Sequence, residues 1–194
     1  MKPLFIGLLL LIALFSTGQQ HHELSIGVGP SFFGWGDVNA FALTATYAFP
    51  INQHLTFEPR LISSSGWRKE ETSYNTGDDY TYGYNFDITG YFGLAGSFVY
   101  TPFTGRGQFF KLKSGFLLGN MAHSYGGIRR GGYPYTDASF GKELNKGLIH
   151  TVHFRFLNRE NFFIGNELSM LTSFAQGYYN CDGFVWNFMA GIKF

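Results

Sequence analysis

Large apolar side chains occupy every second position along most of this chain. In the stretch 184–194, Phe184, Trp186 and Phe188 are separated by Val185 and Asn187, and the alternation continues to the last residue. A period of two is typical of a β-strand, because successive side chains of a strand point to opposite faces. The pattern therefore predicts a strand with one aromatic face.

Eight segments with this alternation follow residue 20, each about ten residues long. They cover 24–32, 40–49, 55–62, 84–94, 109–118, 148–156, 162–170 and 184–194. No stretch of ten or more residues after Gln20 has a convincing helical period of apolar positions. The pattern therefore predicts an all-β domain in which eight strands follow one another along the chain.

The connections between these segments alternate in length. Turn-like sequences occupy 50–53, 101–108 and 158–161, whereas longer and more polar sequences occupy 67–83, 123–146 and 175–183. The remaining connection, 34–39, is short. Short turns at one end and long loops at the other are typical of an up-and-down antiparallel barrel, and with eight strands both termini fall at the short-turn end.

Two kinds of barrel share this pattern, and the second face of each segment distinguishes them. A soluble lipocalin-like barrel turns its apolar face inward, whereas a membrane barrel turns it outward. Here the second face is mainly Ser, Gly, Ala, Thr and Asn, which suit a narrow interior, while the bulky face would overfill it. We therefore predict an eight-stranded antiparallel up-and-down transmembrane β-barrel. The alternative is a soluble lipocalin-like ligand-binding barrel.

The charged residues favour the same orientation. They make up 14% of the chain, and the net charge of +1 indicates neither nucleic acid nor an acidic partner. The alternation puts the charged residues of the predicted strands, Lys111 and Lys113 among them, on the small-residue face. Opposite charges inside a barrel can pair there. A Lys or Arg that met lipid at mid-membrane would cost about 2–4 kcal/mol. We predict a structural interior polar network of six residues: Glu58, Arg60, Asp87, Arg155, Glu167 and Lys193.

Four residues fit this pattern poorly. Pro30 and Pro59 fall within strands, where each removes a hydrogen bond of the ladder, so we expect bulges or strand ends there. His150 and Asn166 fall on the apolar face. They either lie near a membrane interface or indicate that the register is wrong by one residue.

The first residues predict a secretory signal peptide. Lys2 precedes an apolar run over 4–15, and the small residues 16–18 follow it. This run is shorter than the roughly 20 residues of a membrane-spanning helix. We therefore expect a cleaved signal peptide over 1–18 and one barrel domain over 19–194. The single cysteine, Cys181, cannot form an internal disulfide, and no cluster has zinc spacing, so we expect no metal and no cofactor.

Taken together, the chain resembles a small outer-membrane β-barrel protein of the OmpA/OmpX-type size class and of the PorT-like family. The resemblance covers nearly all of 19–194 and includes "LTFEPRLISSSGW" and the ending "DGFVWNFMAGIKF". That ending resembles the carboxy-terminal signal of the outer-membrane assembly machinery, with lipid-facing residues Phe184, Trp186, Phe188, Ile192 and Phe194. The resemblance implies a bacterial outer-membrane location. We also expect contact with membrane lipid, with lipopolysaccharide and with the outer-membrane assembly machinery, and a monomer.

Fold alone does not imply an activity, so several functions stay open. We expect a barrel of structural or surface-interaction type, in which the long loops, with Arg129 and Arg130, contact an unidentified ligand or lipopolysaccharide phosphates. A lipid A-modifying enzyme would need a nucleophile and a base within reach, with His123 and Ser124 beside Asp137 or Glu143 as candidates. Adjacent strand residues point apart, so we expect no catalytic site. A wide pore is also not expected from eight strands.

Overall fold

The structure is a computed structural model that describes residues 21–33, 38–75, 80–102, 109–128, 134–140, 144–174 and 182–194. In these residues it contains nine β-strands. They are β1 (Glu23–Phe33), β2 (Val38–Pro50), β3 (Leu55–Asn75), β4 (Tyr80–Tyr100), β5 (Phe110–Ile128), β6 (Pro134–Phe140), β7 (Asn145–Asn158), β8 (Phe162–Ser173) and β9 (Gly183–Lys193). The described residues include no helix of the length and apolar character that a membrane crossing requires.

Eight of these strands form a closed antiparallel ring. The order is β4-β3-β2-β1-β9-β8-β7-β5, and pairing between β4 and β5 closes it. The ninth strand, β6, pairs with the far end of β5, beyond the residues that pair with β7. The predicted eight-stranded up-and-down barrel is therefore confirmed, since consecutive strands of the ring pair antiparallel and the first strand pairs with the last.

The tilt of the strands follows from the register. A path through directly paired residues leaves β2 at Phe49 and returns to β2 at Asn39, ten residues away. The path is Phe49, Phe57, Phe98, Ser114, His150, Met170, Phe184, Phe32 and Asn39. With about 3.3 Å per residue and about 4.8 Å between strands, this offset over eight strands tilts them by about 40°.

The two faces of the wall differ as the alternation predicts. Large apolar side chains point outward on all eight barrel strands, such as Phe116 with 72% of its surface exposed and Trp186 with 54%. Small and charged side chains point inward, but the interior also holds an apolar cluster that the sequence analysis did not foresee. The two ends differ as well: short turns and both ends of the described chain lie at one end, and long hairpins at the other.

The two prolines interrupt the ladder without a bulge, contrary to our expectation. Pro30 pairs with Phe41 in an unbroken register on one side, while toward β9 the ladder skips two residues and resumes in the same register. Pro59 behaves likewise, paired with Gly96 and skipped toward β2. The missing N–H of each proline therefore removes backbone pairing on one side of its strand, but it does not shift the register. The register shift that the structure records lies between β7 and β8, at Arg155/Leu157.

Much of two predicted loops is strand. β3 and β4 stay paired up to Asn75 and Tyr80, and β5 pairs with β6 up to Ile128 and Pro134. The loops expected over 67–83 and 123–146 are therefore largely hairpin arms. The alternation of apolar and small residues did not mark them, because a hairpin beyond the wall has no apolar environment to distinguish its two faces.

Gly29 lies where the β1–β9 ladder is interrupted, and we predict that Gly29→Ala destabilises the barrel. An added Cβ would overlap the main-chain carbonyl oxygen of Trp186, which cannot rotate away. We expect the free energy of unfolding to fall by about 1–3 kcal/mol, the usual range for overpacking. The measurement is urea unfolding of the barrel in lipid vesicles.

The matched control is Gly90→Ala on β4, since a Cβ there meets no atom within 4 Å. Equal unfolding midpoints for the two variants would contradict the close packing of β1 against β9.

Candidate functional site: the charged interior of the barrel

A group of buried charges crosses the barrel interior. We call it the central charge cluster, formed by Glu58 and Arg60 of β3, Lys113 of β5 and Glu167 of β8. Glu58 and Arg60 are two residues apart, so both point inward. All four side chains are at most 5% exposed. The cluster therefore holds two carboxylates and two cations away from solvent.

Each charge in this cluster has two partners of opposite sign. Arg60 Nη2 donates to Glu58 Oε1 at 3.0 Å, and Arg60 Nη1 lies 2.7 Å from Glu167 Oε1. Lys113 Nζ donates to Glu58 Oε1 at 2.8 Å and to Glu167 Oε2 at 2.6 Å. This alternating arrangement compensates for the loss of hydration that burial imposes on each ion.

Polar side chains of β7 and β8 also contact the cluster. Arg60 Nη1 donates to Ser169 Oγ at 2.9 Å, and the Thr151 hydroxyl lies 2.8 Å from the same oxygen. The Nδ1 atom of His153 lies 3.3 Å from Glu167 Oε2. The cluster and its hydrogen-bond partners therefore lie on β3, β5, β7 and β8, and the ion pairs join β3 to β8 across the barrel.

A second group, the terminal charge cluster, lies nearer the short-turn end. Glu23 of β1 accepts from Lys111 Nζ at 2.8 Å and from Arg155 Nη1 at 2.9 Å. The guanidinium of Arg155 stacks on the ring of Phe163, with Cζ 3.8 Å from the ring centroid. This cluster joins the first strand to β5 and β7.

The six residues of the predicted interior network occupy different places. Glu58, Arg60 and Glu167 meet in the central cluster, and Arg155 lies in the terminal cluster. Lys193 instead donates to Asn158 Oδ1 at 2.6 Å and to the Arg159 carbonyl at 2.7 Å. The backbone of residue 87 lies in β4, but its side chain lies outside the described residues.

Four interior partners were missing from the predicted network: Glu23, Lys111, Lys113 and His153. The alternation puts Lys111 and Lys113 on the inner face, but the network did not include them. Glu23 lies one residue before the first alternating segment, so extending that alternation by one position would have placed it inside. The alternation of the segment 148–156 puts His153 on the inner face, but nothing in the sequence indicates that it meets Glu167. That contact depends on the register between β7 and β8, which puts these two residues directly opposite each other.

The residues of the predicted carboxy-terminal signal lie on the outer wall. Phe184, Trp186, Phe188, Ile192 and Phe194 are all exposed. The backbone of Phe194 exchanges two hydrogen bonds of 3.0 Å with His22, and their rings stack with centroids 6.2 Å apart. The last residue is therefore fixed to the start of β1.

An apolar plug fills the interior at the level of Tyr91 on β4. It is formed by Ala42, Ile62, Tyr91, Ala95, Leu117, Met121, Ile149, Leu171 and Val185. A Cβ added at Gly93 or at Gly119 would lie 2.8 Å from Tyr91 Cζ, so these glycines make room for the tyrosine ring. The plug and the two charge clusters occupy the interior that a pore would need.

Of the catalytic candidates, the structure describes the side chain of Ser124 and only the backbone of His123 and Asp137. His123 and Ser124 are consecutive residues of β5, which pair with Ser139 and Ala138, while Asp137 pairs with Tyr125. The side chains of His123 and Asp137, and the whole of residue 143, lie outside the described residues. Within the described part of the chain, no group of three His, Cys, Asp or Glu side chains is arranged to hold a metal ion.

The closed ring, the apolar outer wall and the charged interior define the fold as that of small outer-membrane barrels. The attachment invasion locus protein Ail of Yersinia pestis superimposes with a TM-score of 0.50 and 14% identity over 91% of this chain and 100% of that chain. A second Ail structure, in complex with the heparin analogue sucrose octasulfate, gives 0.50 and 16% over the same shares. At these identities the likeness is one of fold.

Another similar structure is that of Neisserial surface protein A, with a TM-score of 0.42 and 12% identity over 89% of this chain and 94% of that chain. No protein-family model matches the chain, and no curated protein does.

Glu167 binds both cations of the central cluster, and we predict that Glu167→Gln destabilises the barrel by about 3–5 kcal/mol. The reason is that Arg60 and Lys113 would share one carboxylate, Glu58, in a buried site. The measurement is the free energy of unfolding in urea, followed by tryptophan fluorescence in lipid vesicles.

The control is Glu160→Gln, the same change at an exposed turn, for which we expect a difference within about 0.5 kcal/mol. If both variants unfolded at the wild-type urea concentration, the cluster would not contribute to stability.

Proposed function

We propose that this protein is a bacterial outer-membrane β-barrel of structural or surface-interaction type, without a catalytic site and exported by a signal peptide over 1–18. The observation that carries the proposal is the outer wall, where large apolar side chains face outward on all eight barrel strands. Soluble proteins rarely expose a continuous apolar patch of more than a few hundred Å². In a bilayer the same wall meets hydrocarbon, and this argues against the soluble lipocalin-like alternative.

The orientation we propose puts the short-turn end in the periplasm and the long hairpins outside the cell. Outer-membrane barrels have short periplasmic turns and longer extracellular loops. The turn around Asn52, which accepts hydrogen bonds from the backbone of His54 and Leu55, is of the short kind. The hairpins of β3–β4 and β5–β6 are then the parts available to an external ligand.

The external partner that we propose is lipopolysaccharide, whose phosphates suit arginine side chains. This proposal is supported by the sequence, since Arg129 and Arg130 lie outside the described residues. The amount of lipopolysaccharide that copurifies with the wild type and with an Arg129→Ala/Arg130→Ala variant checks it. Equal amounts would contradict it.

The sequence also supports three finer proposals. The resemblance to the PorT-like family rests on the segments quoted from the sequence, and the outward ending Phe184–Phe194 suits recognition by the outer-membrane assembly machinery. A monomer is the simplest state, because the ring satisfies its own edges. Cross-linking in native membranes checks the last of these, and a cross-linked dimer would contradict it.

Cell fractionation tests the location. We expect the protein in the outer-membrane fraction, and we expect it to migrate faster on a gel before heating than after, because a closed barrel resists unfolding by detergent. The same result is expected after Glu160→Gln, a change at an exposed turn. Recovery in the soluble periplasm, with no effect of heating on migration, would overturn the proposal in favour of the lipocalin-like barrel.

Single-channel recording tests the state of the interior. Because the plug fills the interior around Tyr91 and Leu117, we expect the wild type to show no large conductance steps in a planar bilayer. A Tyr91→Ala/Leu117→Ala variant removes two buried side chains of the plug and should produce small steps.

The matched control for the recording is Phe116→Ala, which removes a ring from the outer wall beside Leu117. We expect it to behave as the wild type does. Steps of the same size in wild type and plug variant would mean that the plug does not close the barrel.

A further inference from the structure

A groove of about 550 Å³ crosses the outer wall over β4, β5, β7, β8 and β9. Part of its lining is one row of directly paired outward residues: Phe98, Ser114, His150, Met170 and Phe184. The next row, which includes Leu112 and Val152, forms the other side. Four spacings of about 4.8 Å between neighbouring strands make this row about 19 Å long.

A hydrogen-bonded polar pair lies within this apolar groove. Ser114 Oγ and His150 Nδ1 are 3.0 Å apart, and both side chains are exposed on the outer wall. Among the described residues, the second ring nitrogen of His150, Nε2, has no hydrogen-bond partner, and this side chain is exposed on the outer wall. A polar group left unpaired in hydrocarbon costs several kcal/mol, so this position favours a ligand that can hydrogen bond.

The shape of the groove indicates the kind of ligand. The row lies perpendicular to strands that tilt by about 40°, so it is inclined to the membrane plane and covers about 12 Å of depth. This depth fits within one leaflet, about 15 Å or half of a hydrocarbon core of about 30 Å, and therefore suits one acyl chain. A concave, apolar surface suits a flexible chain better than the convex wall of a second barrel. The polar pair lies part-way along the groove, between Phe98 and Met170, and not at its end.

The arrangement favours binding over catalysis. Ser114 has a base within reach, but acyl transfer also needs donors for the developing oxyanion. The strands on both sides of this pair are in continuous ladder register, so their N–H groups bond to neighbouring strands. A hydroxyl group can donate or accept, so it fits Nε2 in either tautomer of the neutral ring.

We propose that this groove holds one lipid acyl chain that carries a hydroxyl group part-way along its length, hydrogen-bonded to Nε2 of His150. The proposal rests on the proposed function, because it requires the outer wall to face lipid. It assigns to the barrel a lipid-binding site that recognises the chain and not the headgroup.

The test uses the full barrel, labelled with ¹⁵N-histidine, in detergent micelles. It is titrated with 12-hydroxystearate and, separately, with stearate, two fatty acids of equal length. We expect the ring signals of His150 to shift and saturate, with half-saturation at a roughly two- to tenfold lower concentration for the hydroxylated chain, the contribution of one hydrogen bond. Equal half-saturation for the two chains, or no shift of the His150 signals, would overturn the proposal.

Two variants make the result specific. His150→Leu keeps an apolar outer wall, so the barrel should form, and tryptophan fluorescence should then report no preference between the two fatty acids. Asn166→Leu changes another outward polar residue, which does not line this groove, and should keep the preference. A preference that survives His150→Leu would overturn the proposal.

Two further outcomes distinguish lipid binding from a contact between two copies and from a failure of the proposed function. If His150→Leu converted a dimer into a monomer without changing the fatty-acid preference, the polar pair would be a contact between two copies and the proposal would be wrong. Failure of the wild type to insert into lipid vesicles would contradict the proposed function. A missing preference in a protein that does insert would contradict this inference alone.

Discussion

The pairing of buried charges inside a closed wall is the interaction on which the rest of this structure depends. Glu58, Arg60, Lys113 and Glu167 have almost no contact with solvent, so each ion depends on its neighbours for compensation. The strands that carry them are far apart in the sequence and on different sides of the ring. The charges are thus compensated only when the whole barrel has closed in one register.

The same closure separates two environments. The wall turns rings such as Phe116 and Trp186 outward and leaves the interior to small residues, ions and the plug around Tyr91. A narrow barrel can hold large rings outside and small or charged groups inside, because successive side chains of a strand point to opposite faces. Because these groups occupy the interior, the hairpins and the outer groove are the surfaces available for recognition.

Much of this architecture could be predicted from the sequence because it repeats with period two. That period sets the face on which Glu58 or Arg155 lies, and it holds even at Pro30, where a bulge was expected and none occurs. Which acid meets which base could not be predicted, because it depends on the offset between strands. Glu23 reaches Arg155 and Lys111 because the register around the ring is offset by ten residues.

The hairpin arms and the Ser114–His150 pair were harder to predict, for different reasons. β6 and the outer parts of β3 and β4 lie beyond the wall, so their sequences lack the contrast between an apolar and a small-residue face. His150 was correctly assigned to the outer face, yet its partner lies 36 positions away on β5. A pair of this kind becomes visible only when two strands are aligned residue by residue.

The seam between β1 and β9 has a consequence for how the molecule forms. His22 and Phe194 bond to each other across nearly the whole described chain, so their contact has the greatest sequence separation in the wall. Contacts of long sequence separation form late, because the loop between them must first be ordered. Until then β1 and β9 each present a row of free N–H and C=O groups, which is the condition in which chains aggregate. An incomplete ring is thus the vulnerable species, and a chaperone or catalyst of closure would have to shield those two edges.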